Sequence, residues 1–285
     1  MQELTSNVFI ETVYAGVTLG AINWPHGMIL IDAPFKVEDI RSWRAALASM
    51  GASIDRTLIN LDAHFDRTLG ARAMECTVLG HEKMSDVFHN RPVNFKSQGS
   101  ETGAECELYN GLGSIRWAPP EITFSDRLVI HWDETPLVLE SHPGSASGAI
   151  WACLPTEKIA FVGDAVVADQ PPFLAGADLH AWIRSLEMLL TPAYSDYLLV
   201  SGRGGLVAQK QVRSQIDFLR RVEEGFNGLA KKSATPEDAA SLAPALLKHF
   251  TIPAGREAQY EQRLRYGLHH LFIRRFRPLA ADPEV

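Results

Sequence analysis

The chain has 285 residues, of which 46% are hydrophobic and 21% charged, a balance that suits a folded globular protein and excludes disorder, collagen and coiled coil. The length fits either two domains or one large α/β domain. A formal net charge of −7 gives no general attraction to phosphate backbones or anionic lipid, so neither nucleic acid nor a membrane is expected as a partner.

The N-terminal Met1–Asn7 has no basic stretch followed by an apolar one, and nothing later approaches a membrane-spanning run, so the expected location is cytoplasmic. Short β-branched runs then alternate with turns and helical patterns. Strands are predicted at Val8–Val13, Val17–Trp24 and Met28–Asp32, a helix at Val37–Met50, and a strand at Thr57–Asn60. A helix follows at Arg67–Met74 and a strand at Thr77–Leu79. His89–Trp117 carries Gly, Asn and Ser with interspersed aromatics and reads as a long irregular connection, the usual setting of a lid. Further strands are expected at Leu128–His131, Leu137–Glu140, Ala149–Leu154, Ile159–Val162 and Tyr197–Ser201, with a helix at Leu179–Leu190. From Gln211 the pattern turns helical, Thr235 and Pro236 form an N-cap and N1 pair, and the chain ends in the basic, amphipathic Leu271–Arg277. Two regions are therefore expected, 1–210 as an α/β domain and 211–285 as a helical extension packed on it. Cys76, Cys106 and Cys153 include no C-x-x-C pair and read as buried or incidental thiols.

The densest set of chemically useful side chains is Asp62-Ala63-His64-Phe65-Asp66-Arg67, between a strand end and a helix start, where open α/β folds present ligands. Spacing alone fits a metal site, but carboxylates at a helix start are also favoured without any metal. Three more segments follow strands in order: Pro143-Gly144-Ser145-Ala146-Ser147-Gly148, Phe161-Val162-Gly163-Asp164 and Val200-Ser201-Gly202-Arg203-Gly204. Together with Ile29-Leu30-Ile31-Asp32 and Gly80-His81-Glu82, they make the chain resemble the metallo-β-lactamase superfamily over about residues 8 to 210. The resemblance implies a four-layer αββα sandwich with the site at one edge of two packed mixed sheets.

The same resemblance maps the family's metal ligands onto altered residues. One metal's three His positions are Asp62, His64 and Ser145 here; the second metal's set is Asp66, Arg67, Asp164 and Arg203. Arginine stays protonated and offers no lone pair, so it cannot be a ligand. Asp62, Asp66 and Asp164 would crowd negative charge into one pocket, and Arg67 and Arg203 are positioned to neutralise it in place of metal. The expectation is an Asp/Arg/His network with no metal cofactor. A single Zn, Mn or Fe on Asp62, His64, Asp66 and Asp164 is the alternative.

Three functions follow. The first is a non-hydrolytic binding or scaffold protein whose Arg67, Ser145 and Arg203 hold a small anionic ligand. The second is an altered-site enzyme, either a mononuclear hydrolase of an ester, thioester or lactone with Asp66 as base, or an iron-dependent oxidoreductase. The third is metal-free catalysis in which His64 moves a proton and the arginines stabilise an oxyanion. Ser145 lacks the G-x-S-x-G elbow of a nucleophile and reads as a small turn residue. His142, three residues before it, is considered as a substitute imidazole, and His81 as a packing residue. A homodimer is compatible with the basic tail and exposed aromatics.

Overall fold

Strands form where aliphatic residues alternate between two faces: in Gly27–Ile31, Ile29 and Ile31 enter one core while Met28 and Leu30 enter another. The computed structural model describes residues 1–51, 55–92, 95, 102–230 and 234–276. Among these, the first sheet runs in chain order: β1 (Gln2–Thr5), β2 (Val8–Glu11), β3 (Leu19–Trp24), β4 (Gly27–Ile31), β5 (Arg56–Ile59), β6 (Thr77–His81) and β7 (Ile122–Phe124). It is antiparallel through β4 and parallel from β4 to β7. Helices α1 (Val37–Ser49), α2 (Phe65–Thr68) and α3 (Glu82–His89) connect these strands.

The second sheet holds β8 (Arg127–Ile130), β9 (Leu137–Ser141), β10 (Ile150–Leu154), β11 (Ile159–Gly163), β12 (Leu198–Ser201) and β13 (Gly205–Val207), in reverse chain order. Its one parallel pair, β11 with β12, requires a crossover, and α4 (Leu179–Leu189) supplies it. The chain then continues through α5 (Gln209–Ala230), α6 (Pro236–Ala240), α7 (Ala243–Leu247) and α8 (Glu257–Phe276).

Three apolar clusters define the layers. Ile10, Ile22, Ile31 and Ile59 of the first sheet meet Leu139, Ile150, Phe161 and Val200 of the second, so the sheets pack face to face. Trp43 and Leu47 of α1 cover the outer face of the first sheet. Trp151 and Cys153, pointing the opposite way from Ile150 and Ala152, pack with α4, α5 and α8 on the outer face of the second. This is the four-layer αββα sandwich expected from the sequence. The C-terminal helices share one apolar cluster with that second sheet.

The predicted helix Arg67–Met74 is two pieces, α2 and a 3-10 turn at Ala71–Met74. Gly70 lies between them, so close to the preceding loop that a Cβ there would sit 1.8 Å from Pro34 O. β1, β7, β13 and α3 are additions to the predicted elements; β1 is polar and exposed, so no apolar alternation announces it. Thr235 and Asp238 form a reciprocal capping box at the predicted start of α6. The lid expected over His89–Trp117 falls partly on 93, 94 and 96–101, outside the described residues. The rest of it is packed: Phe88, Phe95, Cys106, Leu112 and Trp117 share one buried cluster.

Candidate functional site

The charged side chains of the site lie in the connections that follow β4, β5, β11 and β12. Asp32 follows β4 with φ of 58°, a left-handed turn that Asp tolerates better than most residues. Its Oδ1 accepts from Leu61 N at 3.1 Å and Asn60 Nδ2 at 3.2 Å. After β5, Asp62 Oδ1 accepts His64 N at 2.8 Å in an Asx-type turn. His64 then caps α2, its Nδ1 accepting Asp66 N at 3.2 Å. Asp164 follows β11. Arg203 follows β12, where its backbone N donates to Ser201 Oγ at 3.0 Å.

Two arginines lace these ends together. Arg67 Nη1 donates to Asp32 Oδ2 at 3.0 Å, Nη2 donates to Asp164 Oδ1, and Nε lies 3.1 Å from Asp62 Oδ1 as an ion pair without hydrogen-bond alignment. Arg203 Nε is shared between the Asp164 oxygens at 3.2 and 3.1 Å, Nη1 donates to Asp66 Oδ2 at 2.8 Å, and Nη2 reaches His64 Nδ1 at 3.0 Å. Both arginines are buried, at 0% and 2% exposure, so their charges have little solvent to fall back on. With Nδ1 facing these donors, the His64 proton belongs on Nε2. Gly202 makes room for the crossing: a Cβ there would lie 2.6 Å from Arg67 Nη1.

Asp62, His64, Asp66, Arg67, Asp164 and Arg203 thus converge, as their order in the sequence suggests. Ser145 does not join them by any hydrogen bond among the described residues; it is half-buried in a turn whose Gly144 backs onto Trp182. His142 stacks on Trp151 at 3.6 Å instead of turning to the network. His81 caps α3, accepting Lys83 N at 3.1 Å, the packing role expected of it.

Several partners carry no sequence signal. Asp66 accepts backbone N–H groups from Glu105 at 3.1 Å and Cys106 at 2.8 Å, and backbone donors are invisible in a side-chain motif. Phe173 lies against His64 at 4.2 Å and is approached by the guanidinium groups of Arg203 at 4.7 Å and Arg263 at 4.2 Å. Arg91, stacked on Phe65, Phe88 and Trp117, donates to Ala63 O at 2.7 Å.

Burial sets the electrostatics and the arginines redirect them. For Asp66, burial alone would raise the pKa, but Arg203, His64 and the Cys106 amide outweigh it and hold the carboxyl at about 2. Asp164 is likewise held below the usual carboxylate range by Arg203 and Arg67 against its burial. Burial, then Arg203, pushes His64 down to about 3, so its imidazole is neutral at physiological pH. Burial raises Asp32 to about 7 despite Arg67, and raises Asp62 as well. Four carboxylates face two guanidinium groups here, so the two acids farther from Arg203 retain protons most readily.

Among the described residues, no group of three or more His, Cys, Asp or Glu side chains is arranged to hold a metal ion. No helix among them is long and apolar enough to cross a membrane.

Solved structures give the fold its class. A metallo-β-lactamase family protein from Thermus thermophilus superposes with a TM-score of 0.66 and 17% identity, over 95% of this chain and 94% of that one. A metallo-β-lactamase from Pontibacter korlensis matches at 0.58 and 18%, covering 77% of this chain and 97% of its own. An inverting sec-alkylsulfatase from Pseudomonas sp. matches at 0.69 and 16%; it covers 99% of this chain, which spans only 52% of the sulfatase. No protein-family model and no curated protein matches the sequence. The chain has the metallo-β-lactamase fold.

Proposed function

We propose that the chain is a non-hydrolytic protein of this fold, a binding or scaffold protein in which two guanidinium groups stand where the family places its dinuclear metal centre. One observation carries the reading: Arg67 and Arg203 engage Asp62, Asp66, Asp164 and His64 Nδ1, the groups on which any metal here would depend, and tie in Asp32 as well. Such a set does not fit a metal ion. Arginine has no lone pair to give, and a dication reaching Asp164 would meet two fixed cations already bound to the same carboxylate.

Proton chemistry finds little support either. His64 resists protonation down to about pH 3, and Asp66, fully buried, already accepts from three donors. Every nitrogen of the two guanidinium groups faces a carboxylate or His64. Arg67 and Arg203 are both engaged in holding the network together, and we assign them an architectural role.

Metal content measured by plasma mass spectrometry tests this, on untagged protein with and without Zn, Mn or Fe(II). Less than about 0.1 equivalent is expected throughout. Near one equivalent, lost in His64→Ala, overturns the proposal in favour of a mononuclear hydrolase or an iron-dependent oxidoreductase.

A further inference from the structure

Outside the network, a second set of polar contacts joins α8 and the residue before it to the segment Thr102–Leu108. Arg263 is fully buried, and its Nε and Nη2 both donate to Gly103 O, at 3.0 and 2.9 Å. Its Nη1 reaches the other loop beside the network, at Gln170 Oε1 (2.9 Å) and Pro171 O (3.0 Å). One turn earlier, Gln259 Nε2 donates to Glu105 Oε1 at 3.2 Å and to Gly103 O at 3.3 Å. Arg256 Nη1 donates to Glu105 Oε2 at 2.7 Å. Arg256, just before α8, and Gln259 and Arg263 within it thus present polar side chains to a single short segment.

That segment faces the network with its other side. The Glu105 and Cys106 amides both end on Asp66, while Ala104 and Cys106 are wholly buried beneath. Ala104 and Cys106 join it to the small apolar cluster of Phe88 and Trp117, and its remaining ties, to Asp66 and to the start of α8, are hydrogen bonds and ion pairs. Such contacts can be exchanged for water, whereas the aliphatic core between the sheets cannot.

We propose that Thr102–Leu108 is a strap, latched by Arg256 and by Gln259 and Arg263 of α8, that opens as a unit to uncover Asp66 and Arg203 without unfolding the sandwich. The C-terminal helices are then the device that controls access to the network, whatever the network binds. Nothing in the strap's contacts requires β10 or β11 to move.

The chain carries its own reporters. Cys106 lies in the strap, fully buried; Cys153, 4% exposed, lies in β10 and reports unfolding of the core. Labelling by N-ethylmaleimide, located by peptide mass spectrometry, compares the two in the native full-length protein. In Arg256→Ala/Gln259→Ala, which removes the outer, partly exposed latch bonds and leaves Arg263 in place, Cys106 labelling is expected to accelerate about tenfold or more with Cys153 unchanged. Arg263→Gln is expected to accelerate it further. Hydrogen exchange over 102–108 in the same double variant should rise in parallel. Equal acceleration of both cysteines, or no change in Cys106, overturns the proposal, because the strap would then open only with the whole fold.

Discussion

The parallel strands β4 to β7 carry Arg and carboxylate side chains at both ends, and the two ends behave differently. Beyond the C-terminal ends, Asp32, Asp62 and Arg67 are buried and locked in fixed pairs. Before the N-terminal ends lies an open groove of about 880 Å³, lined by Arg56, Arg72, Glu75, Cys76 and Glu121 among others. Its edge pair, Arg44 with Glu75 at 2.6 Å, is largely in water. The residue types are the same; burial decides whether a charge is a replaceable ornament of the surface or part of the architecture.

The largest expected effect breaks the buried end. Arg203→Ala leaves Asp66 and Asp164 buried beside one remaining cation, and should cost about 3–5 kcal/mol in urea denaturation. Arg44→Ala at the open end should leave the midpoint where it was. Equal, small effects from both substitutions would show that water reaches the network and that burial does not separate the two ends.

A second test uses pH. Folded Asp32, raised to about 7 by burial, keeps a proton that the unfolded carboxyl, at its ordinary 3.8, gives up. Its contribution to stability is therefore greatest on the acid side and is lost as pH rises towards 7. His64 has the opposite sign. Lowered to about 3 by burial and Arg203, it stays neutral where an unfolded imidazole, at 6.5, takes a proton, so stability is lost as pH falls from 6.5 towards 3. Between roughly pH 4 and 6.5 the two slopes oppose each other, and Asp62, also raised by burial, acts in the direction of Asp32. Asp32→Asn removes one slope, so on acidification through this window the variant should lose ~1 kcal/mol per pH unit more than wild type. Parallel profiles for the two proteins would mean that Asp32 holds no extra proton. Below about pH 4, Asp66 adds a further loss, since its stabilisation is present above 3.8 and disappears as pH falls through about 2.

The sandwich was legible because its strands alternate cleanly and its site residues follow strands in a fixed order. The convergence of Arg67 and Arg203 with carboxylates was legible because all of them follow strands in the sequence. Asp32 was visible only as the end of an apolar strand, since its partner Arg67 lies 35 positions away. Arg263 and the Glu105 and Cys106 amides were not visible at all: an arginine inside an amphipathic helix reads as a solvated face, and a backbone donor has no letter. The two-piece helix after His64 was hidden for a similar reason, because the constraint at Gly70 comes from Pro34 O across the fold.

The smallest expected effect sharpens the comparison by holding the interaction type constant. Phe173 meets the cations of Arg203 and Arg263 inside the protein, whereas Lys36 sits 3.7 Å from the ring of Tyr109, itself 37% exposed. Burial lowers Arg263 to about 10, and the nearby Arg203 adds to the shift, so the ring face they share offsets a repulsion between two desolvated guanidinium groups. Leucine fills most of the same apolar space without a negative ring face. Phe173→Leu should therefore cost about 1 kcal/mol, and Phe173→Tyr should recover most of it. Tyr109→Leu, which breaks the solvated pair, should cost measurably less. Guanidinium denaturation would obscure these cation contacts, so urea midpoints are the proper measure. If the surface pair proves the more valuable of the two, the ring of Phe173 is packing material and the two arginines do not need it.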